Sequence, residues 1–167
     1  MNAIADLLIT HKAIEFGDFT LASGAKSRYY VDVKTAVTHP EFLEAIAREI
    51  AERYEFDVIA GVAVGGVPLA VATALAAQKP FAIIRAEEKD HGKKNLIIGD
   101  VKGKNVLLVE DVTTSGGSAL YGITMLRTAG ARADRVVTVV DREQGAAATL
   151  RAQAIDLFSL VRVSELL

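Results

Sequence analysis

The feature that most constrains the fold of this chain is an alternation of short apolar runs with helical stretches, which begins near residue 57. The runs are rich in β-branched residues, as expected for strands that are buried on both faces of a sheet. The predicted strands are residues 58–63, 81–84, 106–109, 136–140 and 157–161, and the predicted helices are 67–77, 118–129 and a short piece at 146–152. This order predicts an α/β fold with a mostly parallel, twisted sheet flanked by helices.

The part of the chain before residue 57 has a different pattern. Apolar residues at helical spacing from Ile4 to Ile14 predict an N-terminal helix, and Pro40 fits the first turn of a second helix. Between them, residues 16–34 alternate and are dense in aromatic and β-branched residues, with a Ser-Gly break as in a hairpin. These elements predict a small N-terminal α/β hood.

Length and charge limit the organisation of the chain. Its 167 residues fit one domain, with the hood at residues 1–56 and the core at 57–167. With 19 basic and 21 acidic residues, nothing suggests binding along a nucleic acid, and the absence of cysteine excludes thiolate chemistry. No signal peptide and no apolar run of ~20 residues is present, so we expect a soluble cytoplasmic protein with no membrane partner.

Candidate chemistry is concentrated in residues 106–120, V-L-L-V-E-D-V-T-T-S-G-G-S-A-L. The adjacent carboxylates of Glu110 and Asp111 can accept hydrogen bonds from the vicinal diol of a ribose. The hydroxyl and backbone N–H groups of the following loop can hold a phosphate at a helix N-terminus. The loop residues that would do so are Thr113, Thr114, Ser115, Gly116, Gly117 and Ser118. Alternatively, the acidic pair only ends a strand and Ser115 or Ser118 caps a helix.

The strand, acidic pair, loop and helix occur in sequence, which favours a ribose 5-phosphate site. The same segment resembles the signature by which type I phosphoribosyltransferases bind phosphoribosyl pyrophosphate (PRPP), and the resemblance covers nearly the whole chain. It implies a catalytic role for Asp111, a homodimer, and Mg²⁺ that is bound through PRPP without side-chain ligands.

Two further segments resemble those of the orotate-using members of this family. Residues 16–32 are similar to the segment that closes over the base, which implies that Lys26 contacts the ligands and that Tyr29 and Tyr30 form a wall of the orotate pocket. The run D-R-E-Q-G at 141–145 is similar to one whose arginine pairs with the orotate carboxylate, which implies this role for Arg142, with Thr114 nearby. Taken alone, either segment could be ordinary structure.

The charged stretch I-R-A-E-E-K-D-H-G at residues 84–92 looks like the mobile catalytic loop of the same enzymes. The resemblance implies that Arg85, Lys89 and His91 reach the pyrophosphate of PRPP, with loop 86–95 shared across a dimer interface. Two positions depart from the family pattern. Ala86 stands where a second lysine is usual, and Gly65 stands where many bacterial members have a lysine.

The resemblance implies transfer of the phosphoribosyl group from PRPP to orotate, a step of pyrimidine (UMP) biosynthesis. Two alternatives stay open. One is a PRPP-dependent transferase for another nucleobase, which would not need Arg142. The other is a PRPP-binding regulator, which would have no use for the charged loop.

Overall fold

A computed structural model describes residues 2–86 and 95–167 of the chain. The N-terminal part consists of two helices, a hairpin and a short helical turn. Its elements are α1 (Ala3–Thr10), β1 (Ile14–Thr20), β2 (Lys26–Val31), α2 (Val33–Ala36) and α3 (Pro40–Arg53). Strands β1 and β2 pair antiparallel and form a sheet of their own.

The remaining elements alternate between strand and helix, apart from one short strand. They are β3 (Val58–Val62), α4 (Gly66–Ala77), β4 (Phe81–Ile84), β5 (Ile97–Ile98), β6 (Asn105–Thr113), α5 (Gly117–Thr128), β7 (Arg132–Asp141), α6 (Ala146–Arg151), β8 (Asp156–Arg162) and a 3₁₀ turn (Val163–Glu165). The α/β prediction is confirmed. Within the described ranges, no helix is long and apolar enough to cross a bilayer.

The order of strands in the main sheet identifies where a ligand would bind. The order is β5-β4-β3-β6-β7-β8, and all neighbours pair parallel except β4 and β5. From β3, the chain adds β4 on one side and then β6, β7 and β8 on the other. The direction of winding therefore reverses between β3 and β6. In open parallel sheets, ligands bind at the carboxyl ends of the strands beside such a reversal.

Both faces of the sheet are covered, as the continuous apolar runs predicted. One face packs with the N-terminal part and α4 in a cluster that includes Leu8, Phe42, Leu69, Leu107 and Val137. The other face packs with α5 and α6 in a second cluster, whose larger members include Ile84, Leu108, Ile123, Leu126 and Leu150. These clusters fix β6 from both sides and hold its carboxyl end in place.

Three details differ from the sequence prediction. Helix α1 ends at Thr10, because Lys12 adopts a left-handed backbone (φ 54°) and turns the chain, so Ile14 begins β1 instead of continuing the helix. Strand β6 runs on to Thr113 and includes the acidic pair, which was placed after the strand. Elements α2 and β5, of four and two residues, were not predicted.

Candidate active site

The carboxyl end of β6 carries two carboxylates that point to opposite faces of the sheet, because neighbouring residues of a strand alternate. Glu110 lies on the α5 side, where Ser118 Oγ donates a hydrogen bond to Glu110 Oε1 at 3.3 Å. Asp111 lies on the side of the loop that follows β3 and of α2, where Lys34 Nζ donates to Asp111 Oδ2 at 3.1 Å. Both residues are buried. A ribose that contacts both carboxylates would therefore lie across the end of the strand.

Burial has a large effect on Glu110. Loss of hydration, together with the neighbouring charge of Asp111, raises the pKa of Glu110 from 4.5 to about 7, against the opposing effects of Ser118 and Lys34. The hydrogen bond and charge of Asp111 raise the pKa of Lys34 above its ordinary value. The carboxyl end of β6 thus holds one carboxyl that titrates near neutral pH and one that is paired with an ammonium group.

The loop after β6 leads directly into the N-terminus of α5. Its N-cap is Gly116, with a left-handed backbone (φ 90°) and no side-chain capping bond, so neither Ser115 nor Ser118 caps the helix. Gly117 and Ser118 are exposed at the helix start. The N–H groups of a first turn have no partner within a helix, and the helix dipole favours an anion there. This geometry favours the phosphate interpretation of the loop over simple capping.

The same loop is tied to the end of β7. Thr113 Oγ1 donates to Asp141 Oδ1 at 3.3 Å, and the Arg142 N–H donates to the Thr113 carbonyl at 2.9 Å. The Ala146 N–H donates to the Thr114 carbonyl at 3.2 Å. The structure thus brings the D-R-E-Q-G segment next to the loop after β6, as the sequence predicted.

Arg142 presents a buried donor without a partner. Its Nε makes no hydrogen bond within residues 2–86 and 95–167, and its guanidinium carbon lies 5.3 Å from the centre of the Tyr29 ring. A buried N–H group that finds no acceptor costs free energy, so such groups commonly await a ligand or water. Tyr29 and Arg142 together form a flat, cationic corner.

Other predicted residues lie apart from this corner. Tyr30 is exposed on the opposite face of the hairpin, where its ring lies 5.8 Å from that of Phe19. Lys26 Nζ donates to Thr20 Oγ1 at 2.7 Å, near the hairpin tip. The ligand roles of these two residues stay predictions.

The backbone of Arg85 is held at both of its polar groups: its N–H donates to the Leu96 carbonyl and its carbonyl accepts from Tyr121 Oη, each at 2.7 Å. The proposed catalytic residues Lys89 and His91 lie outside the described residues.

One charged contact was missed by the sequence analysis. Lys34 and Asp111 are 77 residues apart, and no spacing or motif connects them. Gly65, in the loop between β3 and α4, lies against the same carboxylate, so closely that a Cβ atom there would overlap it. Only the packing of α2 and of the loop after β3 against the end of β6 reveals that Lys34 and Gly65 both lie beside Asp111.

Comparison with known proteins identifies the family of the chain. The family model described as "Phosphoribosyl transferase domain" matches residues 32–161, and the chain belongs to this phosphoribosyltransferase family. The chain is 66% identical to the orotate phosphoribosyltransferase of Methanocorpusculum labreanum over 167 residues, which is 100% of this chain and 99% of that protein. It is 62% identical to that of Methanoculleus marisnigri, over 100% and 98% of the two chains. Within the family, the chain thus groups with orotate phosphoribosyltransferases.

Solved structures show the same fold. The Mycobacterium tuberculosis orotate phosphoribosyltransferase in complex with Fe(III) dicitrate superposes with a TM-score of 0.83 at 32% identity, over 98% of each chain. The enzyme from Aeropyrum pernix has a TM-score of 0.83 at 29% identity, over 97% of this chain and 94% of the other. The mycobacterial complex with PRPP has a TM-score of 0.76 at 28% identity, over 98% and 90%.

Proposed function

We propose that this chain transfers the 5-phosphoribosyl group of PRPP to orotate, giving orotidine 5′-phosphate and pyrophosphate in pyrimidine biosynthesis. The observation that carries the proposal is the meeting, at one end of the sheet, of two buried carboxylates and a helix N-terminus after β6 with a buried, unpartnered arginine donor after β7. The curated relatives with this name and the relative solved with PRPP support it.

The donor would occupy the β6 edge. Glu110 and Asp111 would accept hydrogen bonds from the ribose hydroxyls, and their negative charge would favour a sugar ring that becomes positive as the bond to pyrophosphate breaks. The 5-phosphate would be held by the loop from Thr113 to Ser118, where N–H groups at the start of α5 are available. Each group serves a part of one ligand, which explains why they follow one another in the sequence.

The acceptor would lie against Arg142 and Tyr29. A guanidinium group can bind a planar carboxylate with two parallel hydrogen bonds, and orotate carries such a carboxylate on a flat ring that can stack on tyrosine. The unpartnered Nε of Arg142 would gain an acceptor on binding. Orotate N1 would then attack C1 of the ribose opposite the leaving pyrophosphate, without a covalent enzyme intermediate.

The leaving group needs positive charge. We propose that Arg85, Lys89 and His91 stabilise the departing pyrophosphate, the last two from a loop shared between subunits. Mg²⁺ prefers oxygen ligands and commonly binds through substrate phosphates, where it would neutralise part of the pyrophosphate charge. The described ranges contain no group of three or more His, Cys, Asp or Glu side chains that could hold a metal ion. We therefore propose that Mg²⁺ enters the site bound to PRPP, with the carboxylates of Glu110 and Asp111 left to accept hydrogen bonds from the ribose.

A homodimer is part of the proposal. Strands β4 and β5, at one side of the sheet, leave apolar side chains uncovered on the face toward α4, since Ile98 pairs with Ile83 and both lie on the face of Phe81. Phe81 is 40% exposed, Ile98 47% and, on α4, Leu75 69%. Exposed apolar residues on an open sheet edge favour burial against another chain. We also propose that the protein acts in the cytoplasm.

The direct test is an assay with PRPP, Mg²⁺ and a panel of bases, followed by orotate absorbance and pyrophosphate release. We expect turnover with orotate, none with uracil, adenine or hypoxanthine, and loss of turnover when a chelator removes Mg²⁺. Arg142→Gln should raise the KM for orotate by roughly tenfold to hundredfold, as expected for a lost charged hydrogen bond. Arg151→Gln, which removes an exposed arginine of α6, is the matched control and should change neither constant.

Each alternative predicts a different result. A transferase for another base would release pyrophosphate with that base and leave orotate unchanged. A regulator would bind PRPP but would not release pyrophosphate with any base. Either outcome would contradict the orotate proposal.

A further inference from the structure

Lys34 has a fixed backbone and a side chain that is largely exposed to solvent. It belongs to α2, whose Val33 and Ala36 are buried in the core. The N-cap Asp32 holds this turn: its carboxylate accepts from the Lys34 N–H at 3.1 Å, and its own N–H donates to the Ala13 carbonyl at 2.7 Å. The Lys34 side chain is 64% exposed, whereas that of its partner Asp111 is 9% exposed. A well-anchored residue thus extends a solvated cation over the buried end of β6.

The ammonium group of Lys34 supplies a positive charge that the neighbouring loop between β3 and α4 lacks. The loop between β3 and α4, residues 63–65, has the sequence A-V-G and offers no charged side chain. Gly65 in that loop lies against the Asp111 carboxylate, and a side chain there would overlap it. Lys34 approaches the same carboxylate from α2 and makes the only ion pair that Asp111 forms among the described residues. The loop after β3 and helix α2 therefore both reach the Asp111 carboxylate. Of these two segments, only α2 brings a positive charge to it.

We propose that Lys34 binds the diphosphate of the phosphoribosyl donor, with Asp111 as its partner in the empty site. This step rests on the proposed function, because it assumes a donor whose ribose reaches Asp111. When the ribose hydroxyls bind the carboxylate, the ammonium group transfers to the diphosphate oxygens. A lysine suits this exchange, since it is a compact charge on a flexible stem with three donors. Its exposure means that little hydration is lost in the move.

The test compares three ligands on variants of one residue. Lys34→Gln removes the charge and Lys34→Arg keeps it. Lys104→Gln is the matched control, because it removes the charge of an exposed lysine just before the opposite end of β6. Binding of PRPP, inorganic pyrophosphate and ribose 5-phosphate would be measured by calorimetry with Mg²⁺, and melting curves would show that each variant is folded.

We expect Lys34→Gln to weaken PRPP and pyrophosphate binding by roughly tenfold to hundredfold, the usual effect of one hydrogen bond to a charged group. Binding of ribose 5-phosphate, which lacks the diphosphate, should change by less than about threefold on the same scale. Lys34→Arg should keep most of the affinity, and Lys104→Gln should keep all of it. In steady state, the KM for PRPP should rise more than kcat falls.

Two outcomes would overturn the proposal. An equal loss for all three ligands would mean that Lys34 only orients Asp111. No loss for any ligand would mean that the contact is an ordinary surface ion pair, which contributes little. The binding measurements need no turnover, so they remain informative even if the wild-type chain binds PRPP and fails to convert orotate.

Discussion

Glu110 and Asp111 are neighbours in sequence, yet the fold gives them different chemical environments. Glu110 turns toward α5, where burial raises its pKa to about 7, and Asp111 turns toward α2, where Lys34 balances its charge. The two carboxylates are therefore not interchangeable. At neutral pH the net charge at the carboxyl end of β6 is set mainly by the protonation of Glu110.

Glu110 should make the stability of the empty protein depend on pH. The folded state binds this proton more tightly than the unfolded chain, so stability should fall as the pH rises from 4.5 through about 7. Glu110→Gln should remove that part of the dependence, which is at most roughly 3 kcal/mol. Chemical denaturation of both proteins at pH 5 and pH 8 measures it. Glu44→Gln, at an exposed position of α3, should follow the wild type. Parallel curves for Glu110→Gln and wild type would contradict the pKa assignment.

At this scale the sequence predicted the residues of one contiguous motif and missed contacts made by packing. The acidic pair, the loop after β6 and Arg142 meet as predicted because each lies at or just beyond the carboxyl end of a core strand of the parallel sheet. Tyr29 and Tyr30 separate because consecutive strand residues face opposite ways. Lys34 could not be found, since its neighbour Asp111 is distant in sequence and only the docking of α2 joins them.

The interiors of the secondary-structure elements were predicted better than their ends. The β-branched runs identified the buried middle of β6 and β7, but both strands extend into polar residues, because pairing with neighbours continues beyond the apolar core. Strand β5, which pairs antiparallel with β4, has only two residues and is too short to show any periodicity. The hydrophobic pattern of the sequence thus predicts which strand residues are buried. It does not predict where a strand ends, because that depends on hydrogen bonding with neighbouring strands.

The junction of β3 and α4 is a place where backbone packs on backbone. A Cβ atom at Gly61 would overlap the Gly66 carbonyl group, and neither segment can move aside without disturbing the sheet. We expect Gly61→Ala to lower the free energy of unfolding by roughly 1–3 kcal/mol, as overpacking does elsewhere. Urea denaturation measures this loss.

The control for that variant is Gly117→Ala at the start of α5. There the nearest atom to an added Cβ lies 3.9 Å away, and the backbone needs no left-handed conformation. Its stability should stay the same or rise slightly, because alanine favours helix over glycine. If Gly61→Ala proved as stable as Gly117→Ala, the close contact between β3 and α4 would not be essential.

For the whole molecule, the uncovered sheet edge at β4 and β5 leads to a prediction about assembly. Ile98→Glu places a charge on the exposed apolar face and should shift the protein from dimer to monomer in light scattering, with loss of turnover. Ile9→Glu, at an exposed isoleucine of α1, should remain dimeric and active. A wild-type monomer with full activity, or an Ile98→Glu variant that stays dimeric, would contradict the proposed interface.

The contact between Lys34 and Asp111 also bears on how such enzymes can be recombined. Because Lys34 belongs to the N-terminal part of the chain and Asp111 to the core, exchanging the first 56 residues with those of a relative would replace one half of this ion pair. If Lys34 binds the diphosphate as we propose, a chimera made to alter base preference would therefore also change the affinity for the sugar donor. Chimeras that keep a lysine at position 34 should preserve the ion pair with Asp111. The residue at this position is therefore a criterion for choosing which relatives to recombine.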